Sequence, residues 1–183
     1  MINEANKKII ENYPDLWERK FIESGTLLYE EGKTIRKVYY CETGIVRIFN
    51  YNKQKDIEIT SGFFSNNELI IPILSYVNES SVMANIQVIE DSWMQVIDIE
   101  NWKIIQKQEP IVKDILLTMA VKIATNLHNY QLDNTYDAAY RYIMFIKRCP
   151  YYRRIKGKYI ASYLGIDRTT LSRIMSKTAP DYM

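Results

Sequence analysis

One stretch near the end of this 183-residue chain, Ile160-Ala161-Ser162-Tyr163-Leu164-Gly165-Ile166-Asp167-Arg168-Thr169-Thr170-Leu171-Ser172-Arg173-Ile174, restricts the fold more than any other. Two helices that meet steeply across a short turn need a small residue at the crossing and a residue tolerant of positive φ between them. Ala161 and Gly165 stand at those two places. Ile160, Leu164 and Ile166 on one side, with Leu171 and Ile174 on the other, fall where a helix pair buries a shared apolar seam. Asp167 suits the N-cap of the second helix, its carboxylate accepting from amides of the next turn and favoured by the positive end of the helix dipole. The pattern predicts a helix-turn-helix whose second helix begins at Arg168.

At helical angles Leu171, Ile174 and Met175 turn inward, which leaves Thr169, Ser172, Arg173 and Ser176 outward and Arg168 and Thr170 on the flanks. Arginine can bond both acceptors on a guanine edge, and short hydroxyls reach phosphates or several bases. A plain helical hairpin with a solvated polar face would share this periodicity, so charge has to separate the two readings. Residues 139–183 hold ten basic residues (Arg141, Lys147, Arg148, Arg153, Arg154, Lys156, Lys158, Arg168, Arg173, Lys177) against Asp167 and Asp181. Residues 1–138 hold the other fourteen basic residues against twenty acidic ones, so the net charge of +2 conceals a −6 body and a +8 tail. A polyanion is the natural partner of such a tail, and double-stranded DNA is the one a helix-turn-helix reads. Arg168 and Arg173 are then the candidates for base edges or adjacent phosphates, with Thr169, Thr170, Ser172 and Ser176 in support. Arg153, Arg154, Lys156 and Lys158 are the candidates for the phosphate backbone.

Other chemistry is thin. The two cysteines, Cys41 and Cys149, are far apart and without ligand partners nearby in sequence, so they read as buried thiols rather than a disulfide scaffold or cluster site. The single histidine, His128, lies in a helical pattern with no nucleophile or metal-binding cluster near it, and no glycine-rich phosphate loop is present. The reading is a non-enzyme with no metal and no cofactor. No apolar leader or membrane-length run occurs in the sequence, which points to the cytoplasm and away from the membrane.

From the start, Asn3 to about Trp17 has helical spacing broken at Pro14. Segments 26–29, 38–41, 45–49, 57–60, 86–89 and 93–97 then read as short strands, with Glu42-Thr43-Gly44 as a hairpin turn. After Pro110 one long helix of about twenty residues, roughly 30 Å, is expected. Ile111, Ile115, Met119, Lys122, Ile123, Asn126 and Tyr130 form one stripe on it, and Leu116, Ala120, Ile123 and Leu127 a second. A helix apolar on two sides needs two covers, and the first stripe is assigned to a symmetric partner. Asp133-Asn134-Thr135 is the expected hinge, and a further helix should run from about Tyr136 to Arg148.

This arrangement resembles the Crp/Fnr family of bacterial transcription regulators. The likeness spans nearly the whole chain, with Gly44-Ile45-Val46-Arg47, Glu90-Asp91-Ser92 and the 160–174 stretch as its strongest parts. It implies an α+β fold: an N-terminal double-stranded β-helix, or β-roll, like a cyclic-nucleotide-binding domain (1–109), a dimerisation helix (110–132) and a helix-turn-helix domain (136–183). It also implies a homodimer on a roughly palindromic site, with RNA polymerase as a candidate partner. Arg168 and Arg173 resemble two arginines of the family's recognition helix, while Thr169 replaces its glutamate, which implies a different base preference. The family commonly continues into a β-hairpin wing, which is short or absent before Met183.

Members that bind a cyclic nucleotide carry a segment like Gly-Glu-Leu followed by Arg-Ser or Arg-Thr. Asn67-Glu68-Leu69 resembles its start, but Ser80-Ser81 lacks the arginine, and no Lys or Arg occurs between Lys55 and Lys103. Burying a phosphodiester without a charge-assisted partner costs several kcal/mol, so cyclic AMP fits poorly. Phe64, Glu68, Leu69, Ser80 and Ser81 could line a pocket for a small uncharged or hydrophobic effector, though plain core is the preferred reading. The alternative function is an effector-binding roll whose shortened tail contacts a protein instead of DNA.

Overall fold

The computed structural model of the chain describes residues 2–178, with side chains described for 4–177. Its elements are α1 (Ile2–Asn12), β1 (Glu18–Ile22), β2 (Leu27–Tyr29), β3 (Lys37–Asn52), β4 (Ile57–Phe64), β5 (Glu68–Ile70), α2 (Ile73–Val77), β6 (Asn85–Asp98), α3 (Ile99–Gln108), α4 (Ile111–Asp133), α5 (Ala138–Arg148), α6 (Gly157–Leu164) and α7 (Arg168–Thr178). Single 3₁₀ turns lie at Pro14–Leu16 and Tyr152–Arg154. The fold is α+β. The wing expected short or absent concerns residues 179–183, outside the described residues.

Contacts divide the chain into two compact units: Met1–Phe49 with Gly62–Ile123, and Asn50–Ser61 with Ala124–Met183. The first unit is built on two long antiparallel strands, β3 and β6, in a six-stranded sheet of order β1-β6-β3-β4, with β2 also on β6 and β5 on β3. Side chains alternate across a strand, and here both faces are buried. Tyr39 and Cys41 turn to one cluster with Val46, Ile70, Val82, Val88, Met94 and Val96. Val38 and Tyr40 turn to a second, with Leu69, Ile71, Ile97 and the helical residues Ile9, Trp102, Ile105, Val112 and Ile115. Burial on both faces explains why these strands read as apolar runs with only partial alternation.

The segment Glu42-Thr43-Gly44, expected as a hairpin turn, is strand. β3 passes through it with register shifts against β6 between Cys41 and Val46, so two expected strands are one bulged strand, and β6 likewise joins two. A bulge uses the same residue types as a turn but bends the strand without reversing it. Gly44 has φ +121°, and a Cβ there would sit 1.8 Å from Ser92 Oγ, a fully buried side chain. The reversal comes later, at 53–56, between β3 and β4. Strand β1, whose sequence Glu-Arg-Lys-Phe-Ile gave no strand signal, pairs along β6, with Arg19 over the Trp93 ring and paired with Glu42.

α4 is 23 residues long, as the spacing predicts, but its outer face is neither of the two expected stripes, since Leu116 and Ile123 of the second also pack in the core. Ile115 is 1% exposed in the core of the first unit, Met119 and Ile123 pack against that core, and Lys122 pairs with Glu68 of the same unit. These members of the stripe assigned to a symmetric partner are therefore covered by their own chain. Leu117 (64% exposed) and Val121 (55%) lie on the opposite side, followed by exposed Ala124 and His128. The expected hinge is tied down within the second unit, because Arg148 pairs with Asp133 and Arg141 Nη1 donates to Asn134 Oδ1 at 3.0 Å. The two units divide within α4 instead.

Replacing Gly44 with alanine combines a forbidden φ with a buried clash, and should lower the urea-unfolding free energy by about 3 kcal/mol. An unchanged unfolding midpoint would contradict the close approach to Ser92.

Candidate nucleic-acid interface

In the second unit α5, α6 and α7 surround a small core containing Tyr142, Phe145, Ile155, Ile160, Ala161, Leu164 and Leu171, all buried. α5 is capped by Asp137, whose side chain accepts from the Tyr140 amide, and it ends before Pro150. Phe145, which the periodicity reading passed over, is buried and lies 5.2 Å from the Tyr163 ring. The corner between α6 and α7 follows from residue chemistry. Gly165 takes φ 63° and ψ 35°, its N–H donates to Ser162 O at 3.2 Å, and the Ile166 N–H returns to Ala161 O at 3.0 Å. This pair of bonds satisfies the last carbonyls of α6 and needs a left-handed residue at 165.

Two residues later the chain turns back into helix. Asp167 Oδ1 accepts from the Thr170 N–H at 2.8 Å, the bond expected of an N-cap, and Oδ2 accepts from the Thr170 hydroxyl at 2.7 Å. The Thr169 hydroxyl also donates to this carboxylate. These bonds, that from Thr169 first, hold the Asp167 carboxyl well below the usual carboxylate range. A depressed folded-state pKa means that the cap is intact above the ordinary aspartate value of about 4 and is lost only as the pH falls below it.

On α7, Leu171 is buried and Ile174 half-buried, while Arg168, Thr169, Ser172, Arg173 and Ser176 are exposed and Thr170 is half-buried. Met175, expected inward, is 40% exposed. The outward face is thus the expected one, widened by a methionine. Arg153 and Arg154 lie in the 3₁₀ turn, Lys156 just before α6 and Lys158 in its first turn, all exposed. Arg153 Nε donates to Tyr152 Oη at 3.2 Å, a bond that favours the charged guanidinium, and the Lys158 ammonium lies 4.8 Å from the Tyr159 ring. Among the described residues no ion pair engages Arg153, Lys156, Lys158, Arg168 or Arg173. Their charge is available to an external polyanion.

One contribution to this unit has no sequence signal. The Ser162 hydroxyl donates to Glu58 O at 2.8 Å and accepts from the Thr60 N–H at 2.9 Å. A single hydroxyl thereby satisfies two groups of β4, an outer strand of the sheet, and ties the 50–61 hairpin tip to α6.

The candidate effector residues are not gathered into one site. Leu69 faces the helical core while Phe64 packs on the other cluster. Glu68 is engaged by Lys122 and by the Ser65 N–H, and the Ser80 hydroxyl bonds Ser81 O. A cleft of about 300 Å³ in the first unit lies elsewhere, between α1 and the start of α4, lined by residues including Ala5, Ile9, Glu109 and Ile111. Cys41 and Cys149 are buried thiols. Among the described residues no helix is long and apolar enough to cross a membrane.

No protein-family model and no curated relative matches the sequence. Solved structures do resemble the fold. The global regulator CLP of Xanthomonas campestris, described as c-di-GMP responsive, aligns at 14% identity over 96% of this chain and 92% of its own, with a TM-score of 0.75. FixK2 from Bradyrhizobium japonicum aligns at 16% identity over 90% and 85%, with a TM-score of 0.77. A protein from Eubacterium rectale described as a transcriptional regulator of the Crp/Fnr family aligns at 16% identity over 97% and 83%, with a TM-score of 0.70. The chain has the fold of these regulators, a cyclic-nucleotide-binding-like roll followed by a helix-turn-helix.

Alanine at Gly165 would hold a Cβ in the left-handed region with open space around it. The expected cost is about 1 kcal/mol of unfolding free energy, from backbone strain alone. A loss as large as that at Gly44 would point to a clash that this geometry does not contain.

Proposed function

We propose that this chain is a cytoplasmic, sequence-specific DNA-binding transcription regulator that acts as a homodimer on a roughly palindromic site. One observation carries the reading: α7 leaves a corner fixed by Gly165 and Asp167 with Arg168, Thr169, Ser172 and Arg173 exposed, in the same unit as Arg153, Lys156 and Lys158, which no ion pair among the described residues engages. Arg168 and Arg173 are the base-edge or adjacent phosphate donors, with Thr169, Thr170, Ser172 and Ser176 in support. Arg153, Arg154, Lys156 and Lys158 hold the phosphates. The likeness to known regulators favours this assignment over a protein-binding tail, and RNA polymerase is the machinery such a regulator would meet.

Dimerisation uses the outer stripe of α4, Leu117, Val121, Ala124 and His128. These residues recur at intervals of four, three and four, the spacing of a helix-pairing seam, and all are exposed. Paired copies would set two recognition helices about 34 Å apart along the major groove. Cyclic AMP is not the effector. The roll has no Lys or Arg between Lys55 and Lys103, and Glu68 is already engaged by Lys122.

Binding to a duplex selected from a random pool, titrated across salt, tests the DNA assignment. Arg173→Ala should cost about 1–3 kcal/mol on the preferred site and relax base preference, whereas Lys158→Ala should weaken all sequences and reduce the salt slope by about one. Equal losses on every duplex would refute this division of roles.

Sedimentation tests the pairing face. Leu117→Glu should convert dimer to monomer, whereas Ile115→Ala should leave the dimer in place and cost about 2–5 kcal/mol of stability. The reverse outcome would restore the stripe that the chain itself covers.

A further inference from the structure

The Asp167 carboxylate is engaged beyond the one bond a cap requires. It takes the Thr170 N–H and the hydroxyl protons of both Thr169 and Thr170. A threonine hydroxyl carries one proton and two lone pairs, so a hydroxyl whose proton is committed offers only an acceptor to anything else. Thr170 spends that acceptor locally, receiving Arg173 Nη2 at 3.4 Å and so tethering one corner of the guanidinium. Thr169 is exposed in the first turn of α7, and its hydroxyl keeps its acceptor lone pairs.

In the major groove the amino groups of cytosine and adenine are donors, whereas guanine O6 and N7 and thymine O4 are acceptors. An acceptor-only Thr169 would therefore favour an amino base on the strand it faces and disfavour guanine or thymine there. A free threonine, able to donate or accept, would discriminate little. Resting on the DNA assignment above, we propose that Asp167 is a specificity-positioning residue: by fixing the hydroxyl protons of Thr169 and Thr170, it makes Thr169 an acceptor for a base amino group and aims Arg173 at a neighbouring guanine. The carboxylate thus acts on base choice without touching a base. Thr169 supplies, through a short side chain and its neighbour, the acceptor that a longer acidic residue would present directly.

Site selection from a randomised duplex pool with the full chain tests this, comparing wild type with Thr169→Val, Asp167→Asn and Asp167→Ser. Asparagine and serine both cap helices well, so α7 stays capped in the last two, but once the Thr170 N–H is bound each has one lone pair left, so neither can hold both hydroxyl protons as the carboxylate does. Circular dichroism and melting temperature check that each variant is folded. Thr169→Val is near-isosteric and exposed, which keeps the test open if a variant at 167 unfolds.

Wild type should enrich cytosine or adenine at one position of each half-site by about tenfold over guanine or thymine, the scale of one mismatched pair. Thr169→Val should lose that preference alone. Asp167→Asn and Asp167→Ser can keep only one of the two hydroxyl protons, so each should weaken the preference at that position or at the adjoining guanine. A residue that only capped the helix would lower affinity for all sequences alike, or be fully replaced by asparagine or serine. A motif shared unchanged by all four proteins would overturn the positioning role while leaving the DNA assignment standing. A wild type that enriches no motif would overturn the DNA assignment, and this inference with it.

Discussion

Residue 165 has to take a left-handed backbone, because only then can the Ile166 N–H return to Ala161 O while the chain leaves α6 at an angle steep enough for α7 to cross it. A longer turn would reach the same angle with unsatisfied carbonyls at the end of α6. A residue with a side chain would reach it under strain. Asp167 completes the corner by giving the Thr170 amide an acceptor, and Leu171 is buried in the same unit as Ile160 and Leu164. The polar ridge on the outside of α7 is a consequence. Once one face of an eleven-residue helix is fixed inward, the other is fixed outward.

The same logic of faces governs the first unit. β3 and β6 are apolar on both sides because one side closes the roll and the other receives α1, α3 and α4. α4 in turn carries apolar residues on a second side as well, and there Leu117 and Val121 are exposed. Exposed leucine and valine on such a helix carry a hydrophobic cost of about 1.5–3 kcal/mol each until something covers them. In the proposed dimer a second copy would cover both copies' stripes at once and supply the two-fold axis that a palindromic DNA site requires.

Much of this was legible in the residues, and the exceptions share a cause. Ala161, Gly165 and Asp167 could be read because each role has a local steric or electrostatic reason, independent of what packs nearby. The length of α4 could be read from its spacing, but not which stripe faces inward, since periodicity locates faces without saying what covers them. Gly44 signalled a special backbone and left open whether a turn or a bulge used it, and only the approach of Ser92 decides. β1 was hidden because its charged residues lie over the sheet, Arg19 stacking on Trp93. Ser162 was hidden because its partners, Glu58 O and Thr60 N–H, are backbone groups about a hundred residues away. The effector candidates follow a resemblance to one family segment, which does not say where each side chain points, and alternation along β5 sends Leu69 and Ile70 to opposite clusters.

The claim that α7 reads the major groove is tested most directly by methylation interference on a bound duplex. Guanine N7 lies in the major groove and adenine N3 in the minor groove. Methyl groups at N7 of particular guanines, in two patches about one helical turn apart, should block binding, while methyl groups at adenine N3 should not. Interference confined to adenine N3, or absent at every guanine, would contradict the account.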